Sequence, residues 1–476
     1  MLDKVNEECG IFGIYKNDEA NVVAKTYFAL YALQHRGQES CGIAVNDDGI
    51  ISIHKDVGLV PDVFTKDVLE RLPDGKMAIG HVRYSTTGGS NVVNTQPLGV
   101  KHMKGHMAVA HNGNLTNAFE LRQKFEMEGA IFHTTNDTEV IAYVITKERI
   151  TSSSIEEAVE RSMHIIKGAY SLVMMSPQKM IAVRDPVGFR PLCMGRIGKS
   201  IVFSSESCAL DSLGAEFIRD LDPGEIVVVD ENGVRSIRTH CKSKGHLCVF
   251  EFVYFARPDS IIEGTSVHTA RLRAGSFLAM EHPVQADVVV GVPDSGLDAA
   301  LGYSKQSGIP YGVGLIKNRY IGRTFIQPTQ GERENAVRIK LNALSATVSG
   351  KRVILVDDSI VRGTTSAIIV SLIREAGATE VHVRISSPPF LNPCFFGTDI
   401  DGKDKLIACQ MSLEEIRKMI GADSLGYLSV DSVNKIAADA RCGFCDGCFT
   451  GNYPIPVPTT VIKDKFERKL SEAKKK

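Results

Sequence analysis

The sequence predicts a chain of two characters, a layered α+β half followed by an α/β half built on a mostly parallel sheet. Three observations carry that reading. Between residue 10 and about residue 230, short β-type runs cluster, give way to helical runs, and cluster again. That order suits stacked layers better than regular βαβ repeats. From about residue 250 onward, apolar strands lead into a glycine-containing loop and then a helical pattern. Sheets of that kind collect ligands beyond the carboxyl ends of their strands. Finally, 476 residues are enough for two or three domains of roughly 100–200 residues each.

In the first half, IFGIY, CGIAV, IISIHK, MAIGHVRY, HMAVAHNG, YSLVMM and KMIAVRD read as strands separated by glycines and polar turns. AKTYFALYALQHR and DTEVIAYVITKERI read as helices, because apolar residues recur three and four apart. LDPGEIVVVDENGVRSIRTH reads as a closing hairpin. In the second half, ADVVVGVPDSG and KRVILVDDSIVRGTTSAIIVSLIREAGA each give strand, loop and helix, and VHVRISSPPF adds a buried strand. The run KDKFERKLSEAKKK reads as a solvated terminal helix or tail.

Hydrophobic residues make up 43% of the chain and charged residues 23%, the balance of a globular protein. With 55 basic and 56 acidic side chains, the net charge of -1 gives no electrostatic reason to expect a nucleic-acid partner. The opening MLDKVNEE lacks the apolar core of a signal peptide, and no stretch approaches 18 apolar residues. A cytoplasmic enzyme without a membrane partner is the expectation. Eleven cysteines is an odd number for a secreted disulfide framework. Cys41, Cys193, Cys208 and Cys409 sit in apolar or small-residue runs and read as packing thiols.

Cys9 in NEECGIFGIY is different, because it invites the role of a first residue. If residues 1–8 were removed, an α-amine titrating at about 7.7–8.0 would share a framework with a thiol titrating at about 8.5. The amine could then take the thiol proton without a separate histidine. Polar islands supply partners: Arg36 in LQHRGQES; His81, Arg83 and Thr86 in GHVRYSTTG; Asn112 and Gly113 in HNGNLTN, directly after a strand; Asp137 in TNDTEV, before a helix. Arg83 could clamp an α-carboxylate through a bidentate fork, and Asp137 could take an α-ammonium. The Asn112 amide and the Gly113 N–H could face a tetrahedral oxyanion. The plainer alternatives are structural ion pairs for Arg36 and Arg83 and a core role for His81.

VILVDDSIVRGTT ends a strand in Asp357 and Asp358, after which Ser359 to Thr365 would wrap an anion at a helix start. The spacing is not that of a P-loop. The acidic pair invites a hard cation or sugar hydroxyls. GVPDSG ends another strand, and KNRYIGRTFIQP carries Lys317, Arg319 and Arg323 in a loop able to cover pyrophosphate. Near the end, RCGFCDGCFTG places Cys442, Cys445 and Cys448 close enough to share a metal, with Cys248 and Cys394 as long-range partners. The run alone does not separate zinc from iron–sulfur.

On these residues the first half resembles the glutamine amidotransferase branch of the N-terminal-nucleophile hydrolases. VILVDDSIVRGTT resembles the phosphoribosylpyrophosphate motif of type I phosphoribosyltransferases. Nearly end to end, the chain resembles the glutamine phosphoribosylpyrophosphate amidotransferase family. That resemblance implies a four-layer αββα domain followed by a phosphoribosyltransferase domain. The implied divisions are a propeptide at 1–8, a glutamine domain at 9–235, a phosphoribosyltransferase domain with iron–sulfur segments at 236–460, and a charged tail at 461–476.

The implied activity transfers glutamine nitrogen to phosphoribosylpyrophosphate, giving 5-phosphoribosylamine, glutamate and pyrophosphate, the first committed step of purine nucleotide synthesis. Cys9 would be the nucleophile, Asn112 and Gly113 the oxyanion hole, and Arg36, Arg83, Thr86 and Asp137 the glutamine contacts. Asp357, Asp358, Ser359, Arg362, Gly363, Thr364, Thr365, Lys317 and Arg319 would bind phosphoribosylpyrophosphate. Ser295 would join Asp357 and Asp358 around Mg2+. Tyr254 and Arg257 in YFARPDS would couple the two sites. Cys248, Cys394, Cys445 and Cys448 would hold one [4Fe–4S] cluster, leaving Cys442 spare. AMP, GMP and related purine nucleotides are implied as feedback inhibitors, and a homotetramer as the assembly.

Overall fold

The computed structural model describes residues 9–84, 91–318, 339–398, 400 and 402–458. Among them, the first half holds two antiparallel sheets face to face. One runs in the order Glu216–Asp220, Cys193–Ile197, Ser200–Ser204, Gly10–Tyr15, Met77–Arg83, Ser40–Asp47, Ile50–Val57. The other runs Gly233–Ile237, Ile226–Asp230, Met180–Arg184, Gly168–Met175, Gly105–Leu115, Leu98–His102. Alternate residues of each strand turn inward, so Ile11, Ile79, Ala108, Val173 and Ala182 pack in one core between the sheets. Outer faces are covered separately. The helix Val22–Ala32 lays Ala29 and Leu30 on the first sheet, and Asp137–Thr151 lays Val140, Ile141 and Val144 on the second. The result is the expected αββα stack.

The second half centres on a parallel sheet in the order Val288–Gly291, Arg352–Asp357, Glu380–Ile385, Ser424–Tyr427. Its strands are near-continuous runs of buried valine, isoleucine and leucine, as parallel sheets require when both faces are covered. Helices Val267–Glu281 and Gly296–Ser307 cross closely because two glycines allow it. A Cβ on Gly275 would lie 1.8 Å from the Ala299 carbonyl oxygen, and one on Gly302 would lie 2.0 Å from that of Leu272. No described helix is long and apolar enough to cross a membrane.

Several sequence expectations are corrected. The helix read through Arg36 ends at Ala32, and residues 33–36 form a turn. Gly37 presses on the neighbouring strand so closely that a Cβ would lie 2.5 Å from the Arg83 nitrogen, and this approach overrides helical propensity. Asn112 and Gly113 do not follow their strand but lie within it, paired with Ser171 and Tyr170. Asp137 is the first residue of its helix, behind an Asn136 cap that accepts from the Thr138 N–H at 2.9 Å. Cys409 is exposed, on the outer side of the short helix Ile407–Gln410, whereas Cys41, Cys193 and Cys208 are buried as expected. Strands Leu98–His102, Cys193–Ile197, Ser200–Ser204 and Glu216–Asp220 were not legible, being short, five residues each. The terminal tail lies outside the described residues.

The helix crossing yields a direct test. Gly275→Val should lower the thermal unfolding midpoint by several degrees, since overpacking against backbone costs about 1–3 kcal/mol. An unchanged midpoint in a calorimetric scan would contradict so close an approach.

Candidate functional site

Cys9 sits just before the central strand Gly10–Tyr15 and is buried. Its thiol donates to the Tyr84 carbonyl at 3.6 Å, and its own carbonyl accepts from Arg36 Nε at 2.9 Å. Behind it, His81 is wholly buried, and Nε2 lies 3.0 Å from the His111 carbonyl oxygen. That contact joins the two sheets next to Asn112. Asn112 is 0% exposed, and neither carboxamide atom has a hydrogen-bond partner among the described residues. Gly113 has φ +142°, and a Cβ there would lie 2.1 Å from the Ala169 carbonyl oxygen, so only glycine fits. Asp137 accepts from the Leu115 N–H at 2.9 Å and has His111 Nδ1 3.6 Å from its other oxygen. Arg83 is buried at the same end of the stack. Thr86 lies outside the described residues.

Arg36, expected at glutamine, gives its donors elsewhere. Nη1 reaches Glu206 at 2.6 Å and Glu251 at 2.9 Å, and Nη2 reaches Glu251 at 2.8 Å. With Nε on the Cys9 carbonyl and the side chain sealed from solvent, it faces no open pocket. Burial alone would raise the Glu206 carboxyl, but His35 and Arg36 hold it well below the ordinary range. The Arg257 N–H and the Ser260 hydroxyl also donate to Glu206, at 2.9 and 2.7 Å, and Arg257 Nη1 donates to the Ala32 carbonyl at 3.1 Å. Tyr254 lies on the π-turn Glu251–Phe255, where its carbonyl accepts from Arg271 at 2.9 Å.

At the other end, Asp357 closes the strand Arg352–Asp357, and the Asp358 N–H donates to its carboxylate at 2.9 Å. The Ser295 and Ser359 hydroxyls both donate to Asp358, one to each carboxylate oxygen. Asp357, Asp358, Ser359, Ser295 and Thr365 are all buried. Gly363, at φ +87°, turns the chain into the helix Thr364–Glu375, leaving Thr364 and Thr365 in its first turn. Arg362 is exposed beside them. Lys317 ends the strand Leu315–Lys317, with Nζ 2.5 Å from Asp294. Arg319 and Arg323 lie outside the described residues.

The cysteines converge. Strands His246–Cys248 and Gly443–Cys445 pair in parallel with Cys248 opposite Cys445. The Cys448 carbonyl accepts from the Leu391 and Asn392 N–H groups, both at 3.0 Å, which draws in Cys394. Cys248, Cys394, Cys445 and Cys448 line one cavity with Phe189, Phe250 and Tyr453, while Cys442 lines a separate one with His246 and Phe444. Burial pushes the Cys445 thiol up to about 12. Among the described residues, no three His, Cys, Asp or Glu side chains are grouped to hold a metal ion.

A glutamine amidotransferase domain model matches residues 81–212, and a phosphoribosyl transferase domain model matches residues 270–386. The amidophosphoribosyltransferase of Bacillus subtilis (strain 168) is 49% identical over 474 residues, covering 98% of this chain and 98% of that protein. That of Methanocaldococcus jannaschii is 51% identical over 464 residues, 94% of this chain and 98% of the other. The chain belongs to the amidophosphoribosyltransferase family. A solved glutamine phosphoribosylpyrophosphate amidotransferase from B. subtilis, complexed with ADP and GMP, superposes with a TM-score of 0.88 at 47% identity, over 95% of this chain and 99% of that one. Within the amidophosphoribosyltransferase family, the two-sheet half is the glutamine amidotransferase domain of N-terminal-nucleophile hydrolase type, and the parallel-sheet half is the phosphoribosyltransferase domain.

Glu206, Glu251 and Arg190 were missed in the sequence. The signal was present for Glu251, a lone carboxylate within the apolar run VFEFVYF, since a charge there must be buried and paired. His81 generates a pH test. Burial, reinforced by the charges of Arg83 and His111, lowers its pKa from 6.5 to about 3, so it folds neutral. Its stabilising contribution is complete above about pH 6.5 and is lost as pH falls toward 3, by up to about 1.4 kcal/mol per unit. Acid unfolding curves of His81→Gln should therefore fall less steeply than wild type across that window. Parallel curves would exclude a buried neutral imidazole.

Proposed function

We propose that this chain hydrolyses glutamine at Cys9 and delivers the ammonia to phosphoribosylpyrophosphate, releasing glutamate, pyrophosphate and 5-phosphoribosylamine. The observation that carries the glutaminase half is Asn112, whose buried carboxamide has no partner among the described residues. Leaving such a group unsatisfied costs about 1–3 kcal/mol, which a substrate oxyanion would recover.

In this reading, residues 1–8 are removed and the freed Cys9 amine accepts the thiol proton. Sγ attacks the glutamine side-chain carbon, and the oxyanion faces the Asn112 amide and the Gly113 N–H. The C–N bond breaks, ammonia leaves, and water hydrolyses the thioester. Arg83, Thr86 and Asp137 hold the amino-acid end, Asp137 through the oxygen that does not accept from Leu115 and that has His111 Nδ1 3.6 Å away. Arg36 is reassigned from substrate contact to positioning, because its donors are committed to Cys9, Glu206 and Glu251.

At the second site, ammonia attacks C1 of the ribose as the C1–O bond to pyrophosphate breaks. Asp357 and Asp358 take the ribose hydroxyls, and Ser359, Arg362, Gly363, Thr364 and Thr365 cradle the 5′-phosphate. Lys317 and Arg319 neutralise the leaving group, and Lys317 must first release Asp294. The all-oxygen set of Ser295, Asp357 and Asp358 suits a hard divalent cation such as Mg2+, which would offset negative charge on pyrophosphate. Cys248, Cys394, Cys445 and Cys448, which line one cavity, would be the thiolate ligands of a [4Fe–4S] cluster. Such a group would tie residues 248, 394, 445 and 448 together. Purine nucleotides such as AMP and GMP as inhibitors, a homotetramer, and the divisions at 9–235 and 236–460 complete the reading. They are supported by the family and, for nucleotides, by the ADP and GMP in the B. subtilis structure.

Steady-state product analysis tests both halves. Cys9→Ala should abolish glutamine use yet retain transfer from supplied ammonia, whereas Asp357→Asn should lose transfer from either donor. Equal loss of both activities in folded Cys9→Ala would reject two sites. Intact mass of active protein should lack residues 1–8, and retention of that peptide at full glutaminase activity would reject the amine base. Iron analysis should give about four atoms per chain, falling in Cys445→Ser; iron-free active protein would reject the cluster.

A further inference from the structure

We infer that Glu251 is a positioning residue for the Cys9 nucleophile, acting through Arg36, and that Arg190 extends the same hold to the cysteine-bearing segment 394–398. The inference deepens the proposed glutaminase reading and rests on it. Glu251 is fully buried at the start of the π-turn Glu251–Phe255. One carboxylate oxygen accepts from Arg36 Nη2 at 2.8 Å and from Arg190 Nη1 at 3.3 Å; the other accepts from Arg36 Nη1 at 2.9 Å. Held in this way, Arg36 presents Nε to the Cys9 carbonyl at 2.9 Å. Fixing that carbonyl fixes the plane of the peptide unit after Cys9, and so limits where its thiol can point. Arg190 continues outward. Its Nε and Nη2 donate to the Phe396 carbonyl at 3.2 and 2.7 Å, and Nη2 reaches the Thr398 hydroxyl at 3.3 Å. The Phe396 N–H in turn donates to Cys394 Sγ at 3.4 Å.

A purely structural ion pair has no need to end on the backbone of the nucleophile. The π-turn adds a second constraint, since the Ala256 N–H closes on the Glu251 carbonyl at 3.0 Å. π-turns of this kind recur at functional positions. Glu206 still pairs with Arg36 when Glu251 is changed, so the guanidinium keeps one carboxylate.

The test compares Glu251→Gln with Glu251→Asp, which keeps the charge but shortens the arm by one carbon, and with Arg36→Lys. Glutamine-dependent and ammonia-dependent transfer are measured together with the rate of Cys9 alkylation by iodoacetamide. The expected result is a glutamine kcat lowered about 10- to 100-fold, as for an angstrom-scale misplacement. The glutamine KM and the ammonia-dependent rate should stay within about twofold, and Cys9 alkylation should change in rate. If Glu251→Gln does not fold, Glu251→Asp carries the same comparison. Parallel loss of both activities, a rise in KM alone, or wild-type alkylation in all variants would overturn the proposal. A wild-type chain that transfers ammonia but never consumes glutamine would instead overturn the glutaminase reading beneath it.

Discussion

Two buried guanidinium groups and two buried carboxylates hold this molecule's halves in register. Arg36, Glu206, Glu251 and Arg190 are each essentially shut off from solvent. Removing an ion from water costs several kcal/mol, and pairing repays it only where geometry is good and remaining donors are filled. Here the signs balance, and the outlying donors end on backbone carbonyls, those of Cys9 and Phe396. Replacing one member would leave its neighbours charged, buried and underpaired. The bonds of this node link the Cys9 backbone at one end to the cysteine-bearing segment at the other.

Other contacts run alongside that link. The Phe189 and Phe396 rings stack with centroids 4.1 Å apart, and the His246 and Cys248 N–H groups donate to the Val187 and Phe189 carbonyls at 2.7 and 3.1 Å. Segment 187–190 is thus bonded on one side to the cysteine strand and on the other to the node. The four thiols converge because backbone pairing has already brought their strands and loops together. Apolar rings supply the area, hydrogen bonds the register, and charges the exclusivity.

What the sequence disclosed follows from how each feature is built. The strand–turn–helix path from Asp357 to Thr365 was legible because it is a local object: one strand end, one glycine at positive φ, one helix start. The two-sheet sandwich was legible from strand periodicity, yet four of its strands were not, because short runs such as CMGRI carry too few apolar residues. The turn at residues 33–36 escaped because its cause, Gly37 against the Arg83 backbone, lies in tertiary contact. The partners of Arg36 escaped for the same reason. LQHRGQES shows an arginine but not the carboxylates 170 and 215 positions away that claim it.

The two reactions set opposite demands that this arrangement reconciles. Glutamine hydrolysis needs water at the thioester, while ammonia transfer needs a dry path, because at neutral pH ammonia in bulk water is mostly ammonium and no nucleophile. Making ammonia at one site is useful only when the other is ready to consume it. If Glu251 positions Cys9 as proposed, glutamine hydrolysis has the means to obey that order. The Cys9 carbonyl accepts from Arg36, Arg36 pairs with Glu251, and Glu251 begins the turn that carries Tyr254 and leads to Arg257. Movement of that turn would disturb the attacking carbon–sulfur framework before it disturbed either substrate pocket. On the positioning proposed for Glu251, coupling between the sites would run through the rigid body of the fold and not through a side chain shared by both.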